Sequence, residues 1–143
     1  MGTTVKNREE TLQGQYDVLI IEDNLQQAQI TKRLLEAYGL RSQYITDSTE
    51  ALQKIELDRP AVVIMDLLMP KLDGLRLLRA IRSTAAISQT KIIIYSGKNY
   101  ESDRRKALEL GADAFFFKPT RATTMVDTVK KLMGGNERNS NSN

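Results

Sequence analysis

Four apolar runs, each ending abruptly in a polar residue, constrain the fold of this chain more than any other feature. The runs are Ile20-Ile21-Glu22-Asp23, Val63-Ile64-Met65-Asp66, Ile94-Tyr95-Ser96-Gly97 and Phe116-Phe117-Lys118-Pro119. Short continuous apolar runs are typical of strands that are buried on both faces of a parallel sheet. If the runs are neighbouring parallel strands, their polar residues gather at one edge of the sheet. Such a set can hold a divalent cation and a phosphoryl group together.

Strand patterns and helix patterns alternate along the chain. The predicted strands are Val18–Glu22, Ser42–Ile45, Ala61–Met65, Lys91–Tyr95 and Ala114–Phe117. The predicted helices run from Asp23 or Asn24 to Tyr38, from Ser48 or Thr49 past Ile55, from Gly74 to Arg82, from Glu101 to Leu110, and from a cap at Thr120 to Met133. Five consecutive strand–helix units predict an α/β fold with a parallel sheet, helices on both faces and right-handed crossovers. Open sheets of this kind bind ligands beyond the carboxyl ends of their strands.

Length and composition indicate one globular domain between two irregular ends. The chain has 143 residues, of which 41% are apolar and 27% charged. Residues 1–15 are polar and without periodicity, and residues 135–143 are rich in Asn and Ser. We therefore predict a disordered N-terminal segment, a folded domain over residues 16–134, and a disordered tail or the start of a linker after it.

The residue types that are absent exclude several kinds of chemistry. The chain has no cysteine and no histidine, which excludes disulfides, thiolate metal sites, a Ser-His-Asp triad and a phosphohistidine within it. No stretch approaches the ~20 apolar residues that span a bilayer, and a formal net charge of +3 does not by itself indicate nucleic acid. We expect a cytoplasmic protein without direct contact to a membrane or to nucleic acid.

Three acids at two strand ends predict a metal site. Glu22, Asp23 and Asp66 would crowd three carboxylates together, and like charges in contact disfavour joint ionisation unless a cation neutralises them. Oxygen ligands suit a hard ion, and Mg²⁺ accepts few carboxylates while it keeps several waters. The alternative is that these acids are solvated caps at strand ends. A lysine and a serine at two further strand ends, Lys118 and Ser96, favour the site over that alternative.

The motifs around these residues resemble the receiver domain of two-component response regulators, including the single-domain chemotaxis type. They are the acidic pair after the first strand, Met65–Gly74 after the third, Tyr95-Ser96-Gly97 after the fourth, and Gly111-Ala112-Asp113 with Lys118-Pro119 around the fifth. The resemblance extends from Asp17 to Met133. It implies a flavodoxin-like, doubly wound, five-stranded parallel sheet of order 2-1-3-4-5, and a cis bond between Lys118 and Pro119.

The resemblance also implies a role for each residue of the set. Asp66 would accept a phosphoryl group from a phosphohistidine on a sensor histidine kinase or a histidine phosphotransfer protein. Lys118 and the Ser96 hydroxyl would bind phosphoryl oxygens. Mg²⁺, for which Mn²⁺ could substitute, would be bound by Asp23, Asp66, the backbone carbonyl of Leu68 and, through a water, Glu22.

Residues beside the site are predicted to change the conformation of the surface on phosphorylation and to set the lifetime of the phosphorylated state. Phe115 takes the place of the family's aromatic switch residue and would rotate into the space left when Ser96 moves toward phosphate. The alternative is that Phe115 only fills the core. Leu68 and Lys98 flank the path of the hydrolytic water in receivers. Because Leu68 has no group that orients a water, we expect it to slow self-dephosphorylation.

Output contacts are predicted on the surface of the fourth helix, the fifth strand and the fifth helix. The basic run Arg104, Arg105 and Lys106, together with Tyr100 and Arg121, could help to choose an output partner or output domain. Most basic runs on helices are simply solvated faces. The sequence also leaves a homodimer open.

Three other classes of protein share parts of this pattern. An aspartyl phosphatase of the haloacid-dehalogenase type needs a second aspartate where this chain has Leu68. A flavodoxin-like FMN carrier needs backbone N–H groups and hydroxyls after its first strand, whereas Glu22 and Asp23 would repel phosphate unless a metal intervened. A pseudo-receiver has usually lost the acceptor or the acid pair, and this chain retains both. We therefore predict a signalling switch that catalyses only its own phosphorylation and dephosphorylation.

Overall fold

A five-stranded parallel sheet forms the centre of the molecule. The computed structural model describes residues 16–134. Its strands are β1 (Val18–Ile21), β2 (Ser42–Ile45), β3 (Val62–Met65), β4 (Lys91–Ser96) and β5 (Ala114–Phe117). All neighbouring strands are parallel, and their order is β2-β1-β3-β4-β5. The predicted fold and strand order are confirmed, while the disorder predicted for residues 1–15 and 135–143 lies outside the described residues.

Within residues 16–134, five helices connect and follow the strands. They are α1 (Leu25–Ala37), α2 (Ala51–Asp58), α3 (Gly74–Ser83), α4 (Glu101–Glu109) and α5 (Ala122–Leu132). Short 3₁₀ turns precede α2 and follow α3, at Ser48–Glu50 and Ala85–Ile87. None of the helices within residues 16–134 is both long enough and apolar enough to cross a bilayer.

One predicted helix cap is wrong, because the predicted cap residue has another partner. The Thr120 hydroxyl donates to the Phe117 carbonyl at 2.7 Å, and α5 begins after Arg121 without a side-chain cap. The predicted start of the second helix at Ser48 or Thr49 is confirmed, since a 3₁₀ turn begins at Ser48 and leads directly into α2. The Asp47 carboxylate caps this turn, while the Ser48 hydroxyl accepts the Leu72 N–H at 3.1 Å. Short polar side chains bond to whichever nearby backbone group is free. Sequence position alone therefore does not identify the cap.

The strand side chains alternate between two apolar cores, one on each face of the sheet. Leu19, Ile21, Val63, Met65 and Ile94 pack on the α2–α3–α4 face, with helix side chains that include Ile55, Leu78 and Ala107. Val18, Ile20, Val62, Ile64 and Ile93 pack on the α1–α5 face, with Leu35, Met125 and Val129. Burial on both faces explains why these strands read as continuous apolar runs.

One arginine joins three elements at the edge of the sheet where β4 and β5 begin. The Arg82 guanidinium, near the end of α3, donates to the carbonyl oxygens of Ser88, Thr90 and Gly111 at distances between 2.7 and 3.1 Å. It also donates to the carboxylate of Asp113 at 3.1 Å. Buried and half-buried carbonyls need such donors, so this contact stabilises the end of the sheet opposite the predicted site.

Candidate functional site

Three carboxylates meet where β1 and β3 end. Ile21 and Met65 are register partners at the ends of these strands, which places Glu22, Asp23 and Asp66 side by side. Each of the three acids offers a carboxylate oxygen, and these oxygens lie within 4.8 Å of one another. Glu22 is buried, Asp66 is half-buried and Asp23 is exposed. The acid cluster predicted from the sequence is therefore present.

The donors of this cluster fit a hard divalent cation that keeps part of its water shell. Asp23 forms no ion pair within residues 16–134, so its carboxylate is available on the solvent side. A cavity of about 200 Å³ opens beside it, lined also by Thr46, Ser48, Pro70 and Lys71. Oxygen ligands with room for water are what Mg²⁺ prefers.

Lys118 reaches across the sheet edge from β5 into the acid cluster. Its Nζ lies 2.7 Å from Glu22 Oε1 and 3.4 Å from Asp66 Oδ2. The bond between Lys118 and Pro119 is cis, as the resemblance implied. The Glu22 carboxylate also accepts the N–H of Asn24 at 3.2 Å. The most buried acid of the cluster is thus oriented from two sides.

Burial and charge shift the pKa values of the two most enclosed ionisable groups. Burial raises the pKa of Glu22, and the charge of Asp66 adds to this rise, while hydrogen bonds from Lys118 and Asn24 oppose it. Burial acting alone would lower the pKa of Lys118, but the hydrogen bond and charge of Glu22 and the charge of Asp66 raise it above its ordinary value. The lysine therefore carries a full positive charge at neutral pH.

The loop after β3 packs tightly behind Asp66. The Leu68 N–H donates to Asp66 Oδ1 at 3.3 Å, and the Leu68 side chain is 53% exposed. The Gly74 N–H donates to the Leu67 carbonyl at 2.8 Å. A Cβ on Gly74 would lie only 2.5 Å from the backbone oxygen of Asp66. Sequence reasoning gave Gly74 only the start of α3 and did not reveal this close approach to the backbone behind Asp66.

Ser96 lies at the same edge, and its hydroxyl is hydrogen-bonded to the backbone rather than to the carboxylates of the cluster. Its hydroxyl is fully buried and accepts the N–H of Lys98 at 3.1 Å. Among residues 16–134 this hydroxyl makes no hydrogen bond to Asp66 or Lys118, although the Lys118 N–H donates to the Ser96 carbonyl at 2.7 Å. The Lys98 ammonium lies 5.3 Å from the ring of exposed Tyr100.

The predicted switch and output residues occupy places compatible with their assignments. Phe115 packs on the α2–α3–α4 face and meets Phe117 edge to face, with ring centroids 5.1 Å apart. Phe116 packs on the opposite face, since successive side chains of a strand point to opposite sides of the sheet. On α4, Arg104 is paired with Glu101 at 2.9 Å, while Arg105 and Lys106 are exposed, as is Arg121 before α5. The switch, lifetime and output roles stay predictions.

Tyr95 is a neighbour of the site that sequence reasoning did not single out. The Lys118 ammonium lies 5.3 Å from the centroid of its ring. The Tyr95 hydroxyl accepts the N–H of Thr120 at 3.4 Å. The only signal in the sequence was an aromatic residue directly before Ser96.

Comparison with known proteins supports the same interpretation. The response regulator receiver domain family matches residues 18–130. The response regulator MprA of Mycolicibacterium vanbaalenii is 30% identical over 116 residues, covering 81% of this chain and 49% of that protein. The chain thus spans about half the length of the curated relatives it matches.

Solved structures of receiver domains superpose on this fold. The receiver domain of a signal transduction histidine kinase from Syntrophus aciditrophicus is 32% identical, with a TM-score of 0.76 over 84% of this chain and 91% of that chain. A response regulator receiver domain protein from Clostridium thermocellum is 27% identical, with a TM-score of 0.77 over 85% and 97% of the two chains. Sequence, fold and the acid–lysine cluster agree, and the chain belongs to the response regulator receiver domain family.

Proposed function

We propose that this receiver domain accepts a phosphoryl group on Asp66 from a phosphohistidine of a partner protein. The proposal rests on one observation: Lys118 Nζ lies 3.4 Å from the Asp66 carboxylate, inside a cluster of three acids. An acceptor, a set of metal ligands and a positive charge for phosphate thus share one small site. Such a set serves phosphoryl transfer, which depends mainly on positioning and on neutralising charge.

In the proposed reaction, an oxygen of the Asp66 carboxylate forms a bond to phosphorus while the bond from phosphorus to the imidazole nitrogen breaks. The products are an acyl phosphate on Asp66 and the free imidazole of the donor. A carboxylate is a weak nucleophile, so its alignment matters. The Leu68 N–H holds Asp66 Oδ1 and the Lys118 ammonium lies beside Oδ2, which fixes the plane of the carboxylate before the donor arrives.

Asp23, Asp66, the Leu68 carbonyl and, through a water, Glu22 would bind Mg²⁺, with Mn²⁺ as a substitute. When bound, the ion would offset the negative charge that accumulates between the carboxylates and the phosphoryl group. Lys118 would exchange a carboxylate partner for a phosphoryl oxygen. The Ser96 hydroxyl, now hydrogen-bonded to the Lys98 N–H, would turn toward another phosphoryl oxygen.

The phosphorylated state would then favour a different surface. The acyl phosphate carries about −1.5 to −2 charges in place of the single negative charge of the Asp66 carboxylate. Pairing the phosphoryl oxygens with Lys118 and Ser96 would shift a pre-existing equilibrium between two shapes. Phe115, beside this site on β5, would follow Ser96. The output partner or domain would bind at the surface of α4, β5 and α5. A homodimer through this surface is one form that the output could take.

The partner must supply the histidine, because the chain contains none. A sensor histidine kinase or a histidine phosphotransfer protein provides this chemistry. We propose that residues 16–134 form the complete receiver unit, that it acts in the cytoplasm, and that it turns over no substrate other than its own phosphoryl group.

The decisive experiment is labelling by a small phosphodonor such as phosphoramidate in the presence of Mg²⁺. We expect Asp66→Asn to abolish incorporation because the acceptor oxygen is lost. Asp127→Asn, which changes an exposed acid on α5, is the control and should label as the wild type does. Equal labelling of Asp66→Asn and the wild type would refute the acceptor assignment.

A further inference from the structure

We propose that Tyr95 is a positioning residue for Lys118: its ring keeps the ammonium beside Asp66 while the anionic partners of the lysine exchange. The inference rests on the proposed phosphoacceptor function and adds to it a residue from β4. The juxtaposition that carries it is the Lys118 ammonium over the Tyr95 ring, at 5.3 Å from the ring centroid.

The distance and the burial of the pair make the contact an attractive one. A cation within ~6 Å of an aromatic centroid is attracted by the ring, and the attraction grows as water is excluded. Tyr95 is half-buried, and the Lys118 side chain is only 18% exposed. The ring is therefore a third neighbour of the ammonium, besides the carboxylates of Glu22 and Asp66.

The position of Tyr95 in the sheet allows it to act on both sides of the Lys118–Pro119 bond. Tyr95 and Phe116 are register partners on β4 and β5. From there the Tyr95 ring contacts the Lys118 side chain, and its hydroxyl accepts the Thr120 N–H at 3.4 Å. One side chain thus contacts the lysine and the backbone just after it.

An uncharged aromatic contact suits a lysine whose partners must change. In the resting site the shortest ion pair of Lys118 is with Glu22, at 2.7 Å, rather than with Asp66. Binding a phosphoryl oxygen requires the ammonium to weaken that pair. The ring attracts the cation without competing with phosphate for its N–H donors, so it limits how far the lysine moves during the exchange. An aliphatic residue at position 95 would fill the strand but would not attract the charge.

The alternative is that Tyr95 only fills the α1–α5 face, where it packs against the same apolar core as Ala114 and Phe116. Substitutions separate the two roles. Tyr95→Phe keeps the ring and loses the hydroxyl, whereas Tyr95→Leu keeps apolar bulk and loses the ring. Tyr44→Leu is the matched control, because Tyr44 is a half-buried tyrosine on the same face with a hydrogen-bonded hydroxyl. It lies on β2, at the opposite edge of the sheet from β5 and Lys118.

The first measurement tests the contact in the resting protein by NMR. We expect the ring to shift the Lys118 side-chain proton signals, which are identified by their loss in Lys118→Gln. The shift should persist in Tyr95→Phe and Tyr44→Leu and disappear in Tyr95→Leu. Lys118 signals that are the same in Tyr95→Leu and the wild type would overturn the proposal.

The second measurement is the rate of labelling by phosphoramidate with Mg²⁺. We expect Tyr95→Leu to slow labelling about fivefold and Tyr95→Phe to stay within about twofold of the wild type. Tyr44→Leu should label at the wild-type rate. In a Lys118→Gln background, Tyr95→Leu should have no further effect, because the group it positions is gone.

Two kinetic results would overturn the positioning role: wild-type labelling of Tyr95→Leu, or an equal slowing by Tyr95→Leu with and without Lys118. Failure of the proposed function looks different. A wild type that takes up no label while the ring-dependent NMR shift is present would refute the phosphoacceptor function and, with it, the positioning role.

Discussion

Replacing Gly74 by alanine should disturb the site without touching any proposed ligand. A Cβ at position 74 would lie 2.5 Å from the Asp66 backbone oxygen and 2.7 Å from the Leu67 Cα. Unstrained contacts between such atoms lie near ~3.5 Å, so the loop after β3 or the start of α3 must move by about 1 Å. Both contacted atoms belong to the backbone, and no flexible side chain can absorb the movement.

Two opposing effects set the change in unfolding free energy. Overpacking of this kind typically destabilises by about 1–3 kcal/mol, while alanine is the better helix former by about 1 kcal/mol. We therefore expect a net loss of roughly 0–2 kcal/mol. The rate of labelling should fall by more than the loss of stability alone would cause, because a misplacement of about 1 Å at a reacting group lowers a rate by up to ~100-fold.

Urea unfolding and phosphoramidate labelling measure the two effects separately. Gly97→Ala is the matched control, because a Cβ there meets no atom within 4 Å. It should unfold within about 0.5 kcal/mol of the wild type. The reasoning is refuted if Gly74→Ala matches the wild type in both unfolding midpoint and labelling rate, or if Gly97→Ala is the more damaging of the two.

Three further predictions concern lifetime, stability and metal. Leu68→Asn, which adds a polar group near the acyl phosphate, should lose its label faster than the wild type; faster decay in the wild type would contradict this. The Tyr16 hydroxyl donates to buried Asp58, which is also paired with Lys54 at 3.0 Å. Tyr16→Phe removes this hydroxyl and should lower the unfolding free energy, measured by urea titration, by about 1–3 kcal/mol. An unchanged unfolding midpoint would show that the hydrogen bond does not stabilise the fold. Mg²⁺ should raise the thermal midpoint of the wild type by mass action and raise that of Asp23→Asn less; equal shifts in the two proteins would exclude Asp23 as a ligand.

The fold was predictable because the determining signals are local and repeated. Apolar runs such as Ala61–Met65 require burial on both faces, and Gly39 and Gly111, with φ of 85° and 106°, mark the ends of two helices. The acids and Lys118 were predictable because parallel strands place their carboxyl ends along one edge. The wrong cap at Thr120 depended on a competing carbonyl three residues away, which composition does not reveal.

Tyr95 and Gly74 could not be predicted for a different reason. Their contacts depend on how a ring is oriented and on the path of a loop, at distances of a few ångström. Residue type and spacing carry no such information. The switch role of Phe115 and the lifetime roles of Leu68 and Lys98 concern the phosphorylated state of the domain, so they stay predictions.

The guanidinium of Arg82 has a consequence for how a signal can travel through this domain. Five hydrogen bonds from this one side chain connect the end of α3 to the segments that lead into β4 and β5. That end of the two strands is therefore the stiff end, and the opposite end carries Ser96 and Lys118. We therefore expect a charge added at Asp66 to displace β4 and β5 more at their carboxyl ends than at the ends that Arg82 holds.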